Sequence, residues 1–198
     1  ELISLHKKHM LFTEGEPADS FYIVLKGAIK LVKTIGVDDN LNKTIVDIVF
    51  PGEMIGSALM LDEKNNQLYP ISAQALMPSE VLQISKAFYH SFWKKYPELL
   101  DYSNKQMIRR IQKLQMGQSI QRLPIEKRLA FALCELIGNH TELKITRSEL
   151  SDLISTTTES VIRIISKWNK EKIISTENKN LKIINPEKLQ EIWQSPAN

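Results

Sequence analysis

Residues 146 to 174 read TRSELSDLISTTTESVIRIISKWNKEKII, and this stretch decides the fold of the C-terminal part. Thr146 with Glu149 three residues on has the form of a capping box, so a short helix opens there. Ile154-Ser155-Thr156 then makes a turn, and Thr157 or Thr158 caps a second helix, Glu159 to about Glu171. Val161, Ile164, Ile165 and Trp168 give that helix its apolar face. Beyond it Ile173-Ile174 and Leu181 to Ile184, separated by the turn residues Asn178-Lys179-Asn180, predict a two-strand β wing. Helix, tight turn, helix and hairpin follow in the order of a winged helix-turn-helix.

In such a motif the second helix points its first turn at base edges in the major groove. Glu159 and Arg163 are four apart and share a face. Arginine can donate two hydrogen bonds to guanine and glutamate can accept from the cytosine amino group, while the bland reading of the pair is a surface salt bridge. Thr156, Thr157, Thr158, Ser160 and Lys167 supply further groups for phosphate or base. Eight basic against five acidic residues lie between 144 and 182 in a chain of net charge +3, which suits a polyanionic partner.

Upstream, Leu123-Pro124 breaks the chain, and a helix with Leu129, Leu133 and Leu136 runs from Pro124 toward Gly138. Before the break, Glu98 to about Ile120 has one glycine and no proline and predicts a helix of near 20 residues. Leu100, Met107, Ile111 and Leu114 recur on it at 3-4 spacing, with Asn104 and Gln118 at intervening positions. That stripe fits either core packing or a dimer seam. Lys86 to Lys95 predicts a short helix of its own.

From Met10 to about Ser85 the chain breaks into short β segments at turns such as Lys26-Gly27 and Pro51-Gly52-Glu53, which predicts a small antiparallel sandwich or roll. With 198 residues, 42% hydrophobic and 25% charged, the composition is that of a globular protein rather than a disordered or fibrous one. No apolar run is long enough to span a membrane and no secretory leader opens the chain, so a cytoplasmic location is expected. The first residue is Glu1, which leads us to expect a stretch ahead of it. A single cysteine, Cys134, excludes an internal disulfide and reads as a small apolar residue rather than a thiol sensor. His6 and His9 are three apart without a carboxylate or thiol set beside them and read as surface residues. His90 and His140 stand in polar settings. No metal site, cofactor or catalytic constellation is expected.

Ser148 to Ile174, together with Glu14 to Gly27 (EGEPADSFYIVLKG) and Pro51 to Gly56 (PGEMIG), resembles the CRP/FNR family, the cAMP-receptor and fumarate-nitrate-reduction regulators, over nearly the whole chain in order. The resemblance implies an α+β chain in three parts. Residues 1–95 would be a double-stranded β-helix (jelly-roll) sensor of the cyclic-nucleotide-binding type, 96–121 a dimerisation helix and hinge, and 122–198 the winged helix-turn-helix. It implies a homodimer paired along Leu100, Met107, Arg110, Ile111 and Leu114, with Arg110 reaching across. The DNA partner would be a near-palindromic double-stranded operator whose TGA core is read by Glu159 and Arg163. Thr158 and Ile162 would set the outer bases, and RNA polymerase would be a protein partner.

The same resemblance marks departures in the sensor. The positions where cyclic-nucleotide binders carry a ribose-binding Glu and a phosphate-binding Arg-Ser/Thr pair read Ser57, Tyr69 and Pro70 here. A buried phosphate without that Arg lacks its bidentate counter-charge, so cAMP binding is not expected. The two long-helix positions that meet adenine read Leu114 and Gln115. Tyr69 to Leu76 looks more like the oxygen-sensing branch, but Leu82 stands where that branch has its last cluster-ligating cysteine, which argues against an iron-sulfur cluster. An effector, of unknown identity, would lie near Gly56, Ser57, Tyr69, Ile71 and Leu114. The competing expectation is a ligand-binding roll that signals through a protein partner. In either case a signal would act by rearranging the long helices and the Gly117 to Pro124 hinge.

Overall fold

The short apolar runs between residues 2 and 85 fold as antiparallel strands in two four-stranded sheets. In chain order they are β1 (Leu2–Leu5), β2 (Met10–Phe12), β3 (Ser20–Lys26), β4 (Ile29–Ile35), β5 (Asn42–Val49), β6 (Met54–Ile55), β7 (Ser72–Ala75) and β8 (Ser79–Ser85). One sheet has the order β1-β8-β3-β6, the other β2-β7-β4-β5. The computed structural model describes residues 1–36, 42–61, 67–137, 142–143, 145–177 and 180–195. Two compact units emerge, Glu1–Lys113 and Leu114–Asn198.

Phe21 and Tyr22 are neighbours in β3 and both are buried, because that strand is covered on both faces. Tyr22 joins Phe12, Ile29, Leu31 and Val81 in the core that draws on both sheets. Phe21 faces the other way, against Met54, Met60, Tyr89 and Trp93. Gly27 closes the β3–β4 turn at φ +80°, and a Cβ there would stand 2.4 Å from the Pro78 carbonyl oxygen, so no other residue fits.

The roll starts earlier than the sequence suggests. β1 lies upstream of Met10 and pairs Leu2 with Leu82 and Leu5 with Ser79. The expected helix over Lys86 to Lys95 divides into α1 (Lys86–Ser91) and a 3-10 turn, Trp93–Lys95, because Phe92 leaves helical geometry at φ −123°. α2 then runs Pro97–Ile120. Its first turns pack Leu99, Leu100 and Tyr102 on the Phe21 cluster, and Trp93 Nε1 donates to Ser103 Oγ at 2.9 Å.

The second unit holds α3 (Ile125–Ile137), β9 (Glu142–Leu143), α4 (Arg147–Leu153), α5 (Thr158–Lys170), β10 (Ile174–Glu177), β11 (Asn180–Ile183) and α6 (Pro186–Gln194). Leu129, Leu133, Leu150, Val161, Trp168, Ile174, Leu181 and Leu189 are its buried core. The wing has three strands rather than the expected two, in the order β10-β11-β9, with Leu181 opposite Leu143. Gly138, His140, Lys144, Asn178 and Lys179 lie outside the described residues. Among the described residues no helix is long and apolar enough to cross a membrane.

Candidate functional site

The helix-turn-helix is built by its short polar side chains. Thr146 Oγ1 accepts from the Glu149 amide at 3.1 Å while Glu149 Oε2 accepts from the Thr146 amide at 2.9 Å, the reciprocal capping box that opens α4. Ser155 takes φ +51° in the turn, and the Thr156 amide donates to the Ser151 carbonyl at 3.0 Å. Thr157 is the cap of α5, its hydroxyl accepting from the Ser160 amide at 3.3 Å. Ser151 Oγ and Thr158 Oγ1 lie 3.1 Å apart and tie α4 to α5.

With Val161, Ile164, Ile165 and Trp168 turned into the core, α5 presents Glu159, Ile162, Arg163, Lys167 and Lys170 to solvent. Ile162 is 48% exposed, a large apolar side chain with no burial to explain it. Among the described residues the side chains of Glu159 and Arg163 have no ion-pair or hydrogen-bond partner, each other included, so the salt-bridge reading of the pair does not hold in the free protein. Thr157 is exposed, and Thr156, Thr158 and Ser160 are half-buried, with Ser160 Oγ accepting from Thr157 Oγ1 at 3.1 Å. Lys167 is engaged: its ammonium donates to Glu126 of α3 at 2.9 Å. Glu126 was not legible as part of this surface, since it lies 41 residues away in sequence.

On α2 the stripe resolves into two faces. Leu100 is half-buried on its own roll and Met107 is half-buried. Ile111 and Leu114 are 49% and 47% exposed, and Ile108, which the spacing did not single out, is 56% exposed. Asn104 and Gln118 are exposed as well. Arg110, expected to reach across a dimer, points to β5 of its own chain, with Nη2 3.4 Å from Asp47 Oδ2. Lys113 Nζ approaches Asp47 Oδ1 at 2.7 Å and donates to the Ile48 carbonyl at 2.9 Å.

In the roll, Gly56 sits at φ +81° ahead of the 3-10 turn Ser57–Met60, with the Tyr69 ring against it. Tyr69 is 4% exposed. Its ring stacks on Phe12 with centroids 3.7 Å apart, and Phe12 stacks in turn on Tyr22 at 5.7 Å. Its hydroxyl donates to the Ser20 carbonyl at 2.6 Å. Burial, reinforced by the neighbouring Tyr22 hydroxyl, pushes the Tyr69 phenol well above its ordinary range. Pro70 is exposed, and its carbonyl accepts from Lys33 Nζ, which also pairs with Glu14 at 2.5 Å. Ile71 is half-buried against the core. Leu114 belongs to the second unit. His6 and His9 lie in the turn between β1 and β2 with their rings edge to face, not on a helix. Cys134 is half-buried, and burial raises its thiol pKa.

The family described as "Cyclic nucleotide-binding domain" matches residues 2–96, and "Crp-like helix-turn-helix domain" matches residues 127–192. The transcriptional activator protein Anr of Pseudomonas protegens is 26% identical over 92% of this chain and 76% of its own length. The cAMP-activated global transcriptional regulator CRP of Pasteurella multocida is 26% identical over 89% of this chain and 88% of its own. FixK2 of Bradyrhizobium japonicum has the same fold, with a TM-score of 0.81 at 17% identity, covering 100% of this chain and 98% of the other.

Proposed function

Because the chain belongs to the CRP/FNR family of transcriptional regulators, we propose that it binds a near-palindromic DNA operator as a homodimer, without cAMP and without an iron-sulfur cluster. The observation that carries this reading is the outer face of α5, where Glu159 and Arg163 stand unpaired beside the exposed Ile162. Arg163 is free to donate to guanine, Glu159 to accept from cytosine, and Ile162 to lie on a thymine methyl. Thr156, Thr157, Thr158, Ser160 and Lys167 line the approach to phosphate.

Dimerisation is supported by Ile108, Ile111 and Leu114, large apolar side chains left open on a 24-residue helix. The chain would divide by role into a roll over 1–95, a pairing helix and hinge over 96–121 and a DNA-binding part over 122–198. Loss of cAMP dependence is supported by Tyr69, which puts a buried, hydrogen-bonded ring where a buried phosphate would require a guanidinium facing it. An effector that acts near Gly56, Ser57 and Ile71 would have to accommodate that ring. Absence of a cluster is supported by Leu82 in β8 at the position of the fourth ligand. The regulator works in the cytoplasm with RNA polymerase as its protein partner and without catalysis of its own.

The test is a fluorescence-anisotropy titration, without ligand, of palindromic TTGA-type and TGTGA-type duplexes beside a scrambled duplex at the same salt. Site-selective binding is expected. Equal, weak and salt-sensitive binding to all three duplexes would count against a ligand-free, TGA-reading protein.

A further inference from the structure

Glu126 opens α3, whereas Lys167 and Trp168 stand near the end of α5. The fold brings all three to a single carboxylate oxygen. Glu126 Oε1 accepts from Lys167 Nζ at 2.9 Å and from Trp168 Nε1 at 3.1 Å. The two donors differ in what they need. Trp168 is fully buried, so its indole N–H depends on a partner inside the protein. Lys167 is 55% exposed at its side chain and has water available, so the ammonium leans on a carboxylate that the indole already holds in place. Glu171, at the end of the same helix, adds a weaker pull on that ammonium. Lys167 lies one turn beyond Arg163 on the exposed face, where a cation would meet the DNA backbone.

We propose that Glu126 is a positioning residue of the DNA-binding surface, one that holds the Lys167 ammonium in the free protein and competes with phosphate for it. The inference rests on the DNA-binding reading above. Its consequence is that Lys167 releases few counterions on binding, and the sequence-independent part of the affinity is lowered for every duplex alike. Arg163, whose guanidinium has no ion-pair partner among the described residues, keeps its full capacity for bases.

The experiment compares the full wild-type chain with Glu126→Gln, Lys167→Gln and the double variant on operator and scrambled duplexes between about 50 and 200 mM salt. Glutamine keeps an oxygen for the Trp168 N–H and removes only the charge. Glu126→Gln is expected to tighten both duplexes by the same factor. Its plot of log affinity against log salt should steepen by about 1.8, about 0.9 for the Lys167 of each protomer, an added loss of about tenfold across that salt range. The double variant should return to the wild-type slope, and Lys167→Gln alone should leave it nearly unchanged. A double variant that keeps the steeper slope would mean that the lost acid acts at large, and the proposal falls. It falls too if Glu126→Gln leaves the slope where it was, or if Lys167→Gln alone removes nearly two units, one for each protomer. That last comparison needs no change at Glu126 and stands even where Glu126→Gln does not fold. A wild-type chain that prefers neither duplex counts against the operator reading alone, because slopes on the scrambled duplex still decide the role of Glu126.

Discussion

Asp47 on β5 and Lys113 on α2 form an ion pair at 2.7 Å in which the carboxylate is only 7% exposed. Asp47 also receives Arg110 at 3.4 Å and the Ile48 amide at 2.8 Å, so one buried carboxylate fixes the long helix to the edge of the roll. Removing its charge would strand two cations that are each about one-third exposed. Asp47→Asn is therefore expected to cost about 1–2 kcal/mol, less than the loss from a fully buried pair. Amide hydrogen exchange along β5 and the middle of α2 in the full chain would register it as lost protection. Unchanged protection in both elements would show that the pair does not anchor the helix.

Arg163→Ala should weaken operator binding by about 1–3 kcal/mol per half-site and relax base preference at one position of each. Binding to a scrambled duplex should change little, since the guanidinium is directed at base edges. Equal losses on both duplexes, measured at one salt concentration, would reassign Arg163 to phosphate.

Tyr69 ties the sensor core to pH. Tyr69→Phe keeps the stack on Phe12 and strands the Ser20 carbonyl, a loss of about 1–3 kcal/mol. The folded chain holds the Tyr69 proton more tightly than the unfolded chain does, so this group's contribution is complete below about pH 10 and declines as pH rises beyond it. Thermal unfolding should fall off above pH 10, and the fall should be shallower in Tyr69→Phe. Identical alkaline slopes would remove Tyr69 as the cause. In the same assay cAMP at about 1 mM should leave the wild-type midpoint in place, whereas a rise of several degrees would show that the roll binds it.

Local signals made most of this fold readable. The Thr146–Glu149 capping box, a threonine cap at 157 or 158 and the proline-free run to Ile120 each involve residues within a few turns of one another, and the structure has the box, the cap at Thr157 and the helix to Ile120. β1 and β9 were not readable, because strands of four and two residues carry too little periodicity and are defined by distant partners, Leu82 and Leu181. The same distinction runs through the candidate site. The outward face of α5 follows from its own apolar period, but the carboxylates that engage Lys167 and Arg110 come from α3 and β5, far away in sequence. Ile108 was missed for another reason: a seven-residue repeat from Leu100 selects Met107, and only the packing of Leu100 onto its own roll turns Ile108 outward.

That outward turn makes the dimer testable with one substitution. Ile108 and Ile111 are three apart, both about half exposed or more, and neither belongs to a core cluster of its own unit. In a paired helix each would lie against the partner's stripe, and a carboxylate there would be buried without a counter-charge. Ile108→Glu or Ile111→Glu should give a monomer by sedimentation velocity at concentrations where the wild type is a dimer. In a free monomer both positions are about half exposed and lie outside the roll's core clusters, so the first unit, which carries them, should stay folded by circular dichroism. The monomer should also lose operator affinity far more than scrambled-duplex affinity, because one half-site remains where two were joined. A variant that stays dimeric would move the interface off this face of α2, and a wild type that is already monomeric would remove the palindromic operator along with it.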